Sequence, residues 1–167
     1  GNCVSMTHSL GMPSGVVTEG LGFVYNGCMG VFDPRPGKTG SLAPGKSRFT
    51  SMAPSMIFKD GKPMLLIGAP GGTYIAMGVV QGILNVLDFG MDAEKAVAAP
   101  RFSATSDIIE IVNRIPHFVQ EELEAHGYAF RRYPLGFHFA GVHAIRITED
   151  GVDGGADPGR DGMALAV

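Results

Sequence analysis

The sequence predicts an α+β fold on three observations. Two hairpin signals, Lys59-Asp60-Gly61-Lys62 and Glu149-Asp150-Gly151, follow runs that read as strands, so antiparallel pairing is expected there. A continuous apolar run, Leu65-Leu66-Ile67, passes directly into GAPGG and a long helical segment, which suits a strand covered on both faces. The element order is strands, two helices, a strand, a helix and closing strands, which places helices in layers on antiparallel hairpins.

Gly1-Asn2 reads as the tail of a tight turn, so the first strand of that hairpin is expected upstream of Gly1. Val4, Met6 and His8 then alternate with Cys3, Ser5, Thr7 and Ser9 at the period of a half-buried strand. Gly11, Gly15, Gly20 and Gly22 punctuate the next segment, with a short strand over Phe23–Tyr25. Asp33 to Ser47 is dense in Pro, Gly and Lys, has no periodicity and carries no aromatic residue, so it reads as a long exposed loop.

Strands follow over Ser55–Lys59 and Pro63–Ile67, then a helix from about Thr73 to Phe89 that Gly90 ends. The polar residues Gln81, Asn85 and Asp88 share one face of that helix. The rest is apolar or small, which predicts a helix lying deep between layers. Asp92 is the expected N-cap of a short helix over Ala93–Ala99, stopped by Pro100. A strand over Asp107–Val112 precedes an amphipathic helix over His117–His126, with Glu121, Glu122 and Glu124 facing water and Gly127 just past its end. Strands over Tyr128–Tyr133 and Val142–Thr148 follow, and DPGRDGMALAV closes the chain.

The 167 residues fit one domain with a substantial core. A net charge of −3 carries no basic footprint for nucleic acid. The most apolar stretch, Tyr74 to Leu87, is broken by Gly78, Gln81, Gly82 and Asn85 and is too short to span a membrane. Cys3 and Cys28 make neither a metal-ligand spacing nor a disulfide framework, and the five histidines show no ligand spacing, so no metal is expected. His138 and His143 flank Gly141 near the last strands and could line the cleft, with ordinary polar roles the preferred reading, and Arg131-Arg132 is read as surface.

Two segments could carry chemistry. In GAPGG, Gly68 to Gly72, a buried strand runs through glycines into a helix N-terminus, leaving free backbone N–H groups at the positive end of the helix dipole. Such a turn holds a phosphate, stabilises an oxyanion, or is simply a tight connection. The phosphate signature asks for Lys after the last glycine, and here Thr73-Tyr74-Ile75 follows. In RFTSMAP, Thr50 and Ser51 place adjacent hydroxyls where the loop enters a strand.

Taken together, GNCVSMTHSLG, GVV with GLGFVYN, TSMAPSMIFKDGKP, GAPGG before a long helix, DFGMDAEKAVAAPRF and the terminal DPGRDG resemble the small subunit of the gamma-glutamyltranspeptidase family. That family belongs to the N-terminal nucleophile hydrolases, and the likeness spans essentially the whole chain. It implies a four-layer αββα sandwich, of which this chain is the small-subunit portion, lacking its first strand. It also implies a precursor that cleaves itself before a Thr, which becomes the nucleophile with its own α-amino group as base. That Thr is expected upstream of Gly1.

By the same resemblance, Gly71 and Gly72 are oxyanion-hole glycines, and Thr50 and Ser51 match a serine pair that binds a substrate carboxylate. Ser9 stands where the family has a Thr bonded to the nucleophile. Gly11, Cys28 and Val31 stand where relatives grip a substrate α-amino group with Asn, Gln and Asp. Losing the partner of a buried charge costs about 2–5 kcal/mol, so these positions argue against strict gamma-glutamyl specificity. Asp33, two residues on from Val31, could compensate from the loop. Oxamate or the acyl side chain of a cephalosporin fits better. The resemblance further implies a large partner subunit from the same precursor, supplying the missing layers and a substrate-binding Arg, with no cofactor. The competing expectation is a degenerate paralogue or fragment kept for binding or assembly; a phosphate-binding module is a distant third.

Overall fold

The computed structural model describes residues 1–166; Val167, which ends the closing DPGRDGMALAV segment, lies outside them. The chain divides into two compact units, Gly1–Thr7 with Met52–Val167, and His8–Ser51.

In the His8–Ser51 unit, strands β1 (Pro13–Val17) and β2 (Val24–Asn26) pair antiparallel, and a 3-10 turn over Cys28–Val31 follows. The first of these strands was not expected from the sequence, because its central Gly15 at φ +78° reads as a turn residue; here it accompanies an irregular register. The Asp33–Ser47 loop forms without helix or strand, yet it is folded on itself. Asp33 N–H donates to Gly40 O at 2.8 Å, and Lys38 N–H donates to the buried Ser41 hydroxyl at 2.7 Å. The Ser41 hydroxyl in turn donates to Arg35 O, and Arg35 pairs with Asp33 at 2.7 Å.

The larger unit holds β3 (Ser55–Lys59), β4 (Lys62–Gly68), α1 (Ile75–Leu87), α2 (Ala93–Ala98), β5 (Phe102–Ser103), β6 (Ile108–Val112), α3 (His117–Ala125), β7 (Ala129–Tyr133), β8 (His143–Thr148) and β9 (Gly151–Ala156). One sheet runs β3-β4-β8-β9, antiparallel throughout, with both expected hairpins in place. Leu65, Ile67 and Ala144 on one face pack under Ile75, Val79 and Val86 of α1 and Ala93, Ala96 and Val97 of α2. Burying each large aliphatic side chain there contributes about 1.5–3 kcal/mol. On the other face Met56, Leu66 and Ile145 lie in register, and Phe58, Ile145 and Val152 are exposed. The second sheet runs β5-β6-β7, and α3 carries the chain between β6 and β7, which are parallel.

Three expectations are corrected. The alternation over Val4, Met6 and His8 makes no strand ladder among the described residues. The apolar positions Val4 and Met6 point outward at 77% and 79% exposure, and Ser5 instead donates its hydroxyl to Ile67 O at 3.3 Å. The helix α1 is buried along one side only, and its polar residues help to build that side. Gln81 is buried and bonds Phe102 twice, Nε2 to O at 2.8 Å and N–H to Oε1 at 3.1 Å, while Asn85 Nδ2 donates to Ala96 O at 3.1 Å. Val80, Leu84 and Leu87 face outward. Arg132 is half-buried rather than surface, with Nη1 donating to Ile115 O at 2.6 Å and Nε to Gln120 Oε1 at 3.0 Å.

Asp92 caps α2 as expected, its Oδ1 accepting Lys95 N–H at 2.8 Å. Replacing it with Ala leaves that helix-terminal N–H without its partner. Asp92→Ala is expected to lower stability by about 1 kcal/mol, read as a shift of the urea midpoint with an unchanged slope.

Candidate active site

The chain leaves β4 at Gly68, turns through Ala69-Pro70-Gly71, and enters a 3-10 turn over Gly72–Tyr74 that runs into α1. Gly71 sits at φ +142° and Gly72 at φ +58°, conformations that L side chains rarely adopt. The segment after β7 closes over this turn. Gly141 N–H donates to Pro70 O at 3.0 Å, and a Cβ on Gly71 would lie 2.6 Å from Ala140 Cα. Neither Gly71 nor Gly72 donates its N–H to another backbone group among the described residues outside the helices' own bonds. Two amides are thus offered side by side at the start of a helix, where partial positive charge accumulates. Such a pair can take an anionic oxygen.

The remaining expected site residues, Ser9, Cys28, Thr50 and Ser51, belong to the His8–Ser51 unit. There Ser9 Oγ accepts Gly11 N–H at 3.0 Å, and Cys28 Sγ contacts Leu10 O at 3.7 Å. A Cβ on Gly11 would lie 3.4 Å from Cys28 Sγ, so positions 11 and 28 are neighbours. Gly27 N–H, bonded to Met12 O at 2.5 Å and Leu10 O at 3.2 Å, holds the two segments together. Thr50 is exposed and Ser51 half-buried, and Val31 is exposed without a charge to offer.

Sequence reasoning missed a cluster directly after the glycine turn. Tyr74 donates its hydroxyl to Glu110 Oε2 at 2.6 Å, and His138 Nε2 lies 2.9 Å from the Tyr74 hydroxyl oxygen. Tyr133 donates to Glu110 Oε1 at 2.8 Å, and its ring stacks on His138 at 3.5 Å between centroids. Glu110 is held below the usual carboxylate range, chiefly by the Tyr74 hydroxyl, with the Tyr133 hydroxyl and the charge of Arg131 adding to it. Burial, then the hydrogen bond to Glu110, pushes the Tyr74 phenol up to about 12. These residues lie 36 to 64 positions apart in pairs with Tyr74, so no local spacing announces them.

His143 is half-buried, and burial first, then the charges of Arg101 and Arg160, hold its imidazole below the ordinary value of 6.5. The unfolded chain therefore takes up a proton before the folded one does. The stability tied to His143 is present above pH 6.5 and is lost as pH falls through and below that value. His143→Gln is expected to lose less stability than the parent between about pH 7 and pH 5, measured by urea titration at each pH.

Among the described residues there is no group of three or more His, Cys, Asp or Glu that could hold a metal ion. Among those residues, too, no helix is long and apolar enough to cross a membrane.

The fold and site thus define a mixed helix-and-sheet chain in which a glycine turn with adjacent amides heads a half-buried helix, on an antiparallel sheet under two helices. The family model for gamma-glutamyltranspeptidase matches residues 1–167, and the chain belongs to that family. It is 38% identical over 170 residues to the acylase ACY 1 proenzyme of Pseudomonas sp. strain V22, covering all of this chain and 30% of that protein. It is 34% identical over 184 residues to a glutathione hydrolase proenzyme of Pseudomonas aeruginosa, covering all of this chain and 33% of that protein. The chain thus spans about a third of the length of these curated relatives. Among solved structures, gamma-glutamyltranspeptidase from Pseudomonas nitroreducens complexed with L-DON superposes with a TM-score of 0.87 at 33% identity, over 100% of this chain and 94% of that one.

Proposed function

We propose that residues 1–167 are the small-subunit portion of a self-processing amidohydrolase or acyltransferase whose nucleophile is a Thr upstream of Gly1. The observation that carries this reading is the pair of amides at Gly71 and Gly72, in a family whose relatives include an acylase and a glutathione hydrolase, both named as proenzymes. The Thr hydroxyl attacks the amide carbonyl and its proton passes to the Thr α-amino group. The Gly71 and Gly72 N–H groups stabilise the oxyanion, and collapse expels the amine with that proton, leaving an acyl-enzyme. Water or a second amine then takes the acyl group. Ser9 orients the nucleophile, and Thr50 with Ser51 receives a carboxylate or comparable acceptor on the substrate.

Gly11, Cys28 and Val31 supply no charge for a substrate ammonium, which favours a small amide such as oxamate or an acyl side chain of the cephalosporin type over a strict gamma-glutamyl group. The exposed apolar face carrying Phe58, Ile145 and Val152 supports the four-layer αββα arrangement, with a second sheet from a larger partner chain of the same precursor packed against it. The full-length precursor should resolve into two chains on a denaturing gel, with Thr at the new N-terminus. It should cleave at least one of gamma-glutamyl anilide, oxamate and a glutaryl cephalosporin. Intact precursor removes the mechanism; processing without turnover of any of the three favours a binding or assembly role.

A further inference from the structure

Tyr74 is tied to the glycine turn through its backbone: it ends the 3-10 turn that Gly72 begins, and its N–H donates to Gly71 O at 3.2 Å. Its hydroxyl is tied elsewhere. Glu110, on β6 of the second sheet, spends one carboxylate oxygen on Tyr74 at 2.6 Å and the other on Tyr133 at 2.8 Å. The Tyr74 proton goes to Glu110, so His138 must carry its proton on Nε2 to donate to the Tyr74 oxygen at 2.9 Å. Stacking on Tyr133, at 3.5 Å and 12° between planes, fixes the His138 ring and closes a circle of four side chains.

The same circle reaches the turn from its other side. His138 is followed by the buried Phe139, whose ring meets Tyr74, Tyr133 and His138 edge-on at 5.7, 6.0 and 5.2 Å. Ala140 and Gly141 come next, the residues that abut Gly71 and bond Pro70 O. The turn is therefore gripped by Tyr74 behind it and by the residues after His138 above it, with Glu110 joining the two grips.

We infer that Tyr74, Glu110 and His138 are positioning residues that aim the Gly71 and Gly72 amides; the inference rests on reading those amides as the oxyanion site. A carboxylate accepting two phenol protons admits one hydrogen-bond arrangement, and a unique arrangement is what a preorganised donor pair requires. Arg131, 3.9 Å from Glu110, adds a charge that favours the ionised carboxylate.

The test uses the full-length processed protein and Tyr74→Phe, which keeps the ring packing and removes only the hydroxyl. With the amide that the parent turns over, kcat is expected to fall about tenfold while KM stays within about twofold, since a displaced donor acts on the transition state. In hydrogen exchange, the Gly71 to Tyr74 amides should open faster in the variant while the β4 amides do not change. Tyr133→Phe, which loosens Glu110 from the far side, should give a smaller effect of the same kind and serves if Tyr74→Phe does not fold. Unchanged kcat with unchanged exchange at the turn overturns the inference, as does a parallel change in kcat and KM with exchange rising throughout the molecule. If the parent cleaves no amide, the proposed function falls. The exchange comparison still decides whether the circle holds the turn.

Discussion

In the full-length processed protein, Gly71→Ala is expected to lower kcat by about 100- to 1,000-fold, while Gly72→Ala stays within about tenfold of the parent. The two glycines are adjacent and both carry positive φ, but their surroundings differ. At Gly71 an added methyl would come 2.6 Å from Ala140 Cα and 3.0 Å from Ala140 Cβ, with φ at +142°. Backbone is the obstacle, so the turn must move, and the amide moves with it. At Gly72 the methyl meets nothing within 4 Å, and φ of +58° lies in the left-handed region. An alanine there costs about 1–2 kcal/mol in backbone energy yet keeps its N–H in place. Kinetics on both variants, with thermal unfolding as a control for folding, check the contrast. Equal losses in kcat would show that flexibility of the turn, rather than amide placement, is what the glycines supply.

That contrast also marks how far the sequence could be read. Local signals located the turn and its helix: Gly71-Gly72 at the start of α1, Gly90 beyond its end, Asp92 on α2, and the Asp60-Gly61 hairpin. Each acts within a few residues, so it survives without tertiary context. The β9 strand, GVDGGA, gives no strand signal because its glycines serve a distant partner. At Gly155 a Cβ would lie 2.3 Å from Ala93 O, where the head of α2 meets the sheet and Ala93 N–H donates to Asp153 at 2.7 Å. Likewise Gln81 and Asn85 share a polar helix face whose partners no local signal names, because β5 and α2 supply the backbone groups for them. The family motifs pointed to Gly71 and Gly72. Nothing in residue spacing pointed to Tyr74, Glu110 and His138, because their meeting is made by three separate elements.

Asp157→Ala is expected to destabilise the protein by about 3–5 kcal/mol, a large share of the 5–15 kcal/mol typical of a domain. Asp157 and Arg101 are 5% and 9% exposed, and Arg101 Nη2 contacts the Asp157 carboxylate. Burial, with the charges of Arg114 and Arg160, pulls Arg101 down to about 10, still high enough to keep it charged at neutral pH. Removing the carboxylate therefore strands a cation in the interior. Its other contact, Nη1 to Val97 O at 2.6 Å, solvates it without neutralising it. Asp157 also accepts Gly159 N–H at 2.7 Å, which starts the turn that brings Arg160 to the Phe137 and Phe139 carbonyls at 2.9 and 3.0 Å. Those carbonyls belong to the segment that lies over Gly71, so the loss should reach the site as well as the fold. Urea unfolding of Asp157→Ala and of the double variant Arg101→Met with Asp157→Leu separates the two contributions. The double variant removes both charges and should recover much of the stability, since an apolar pair of similar volume often replaces a buried ion pair at no cost. If it is as unstable as the single variant, the damage lies in the Asp157 turn and not in the stranded charge.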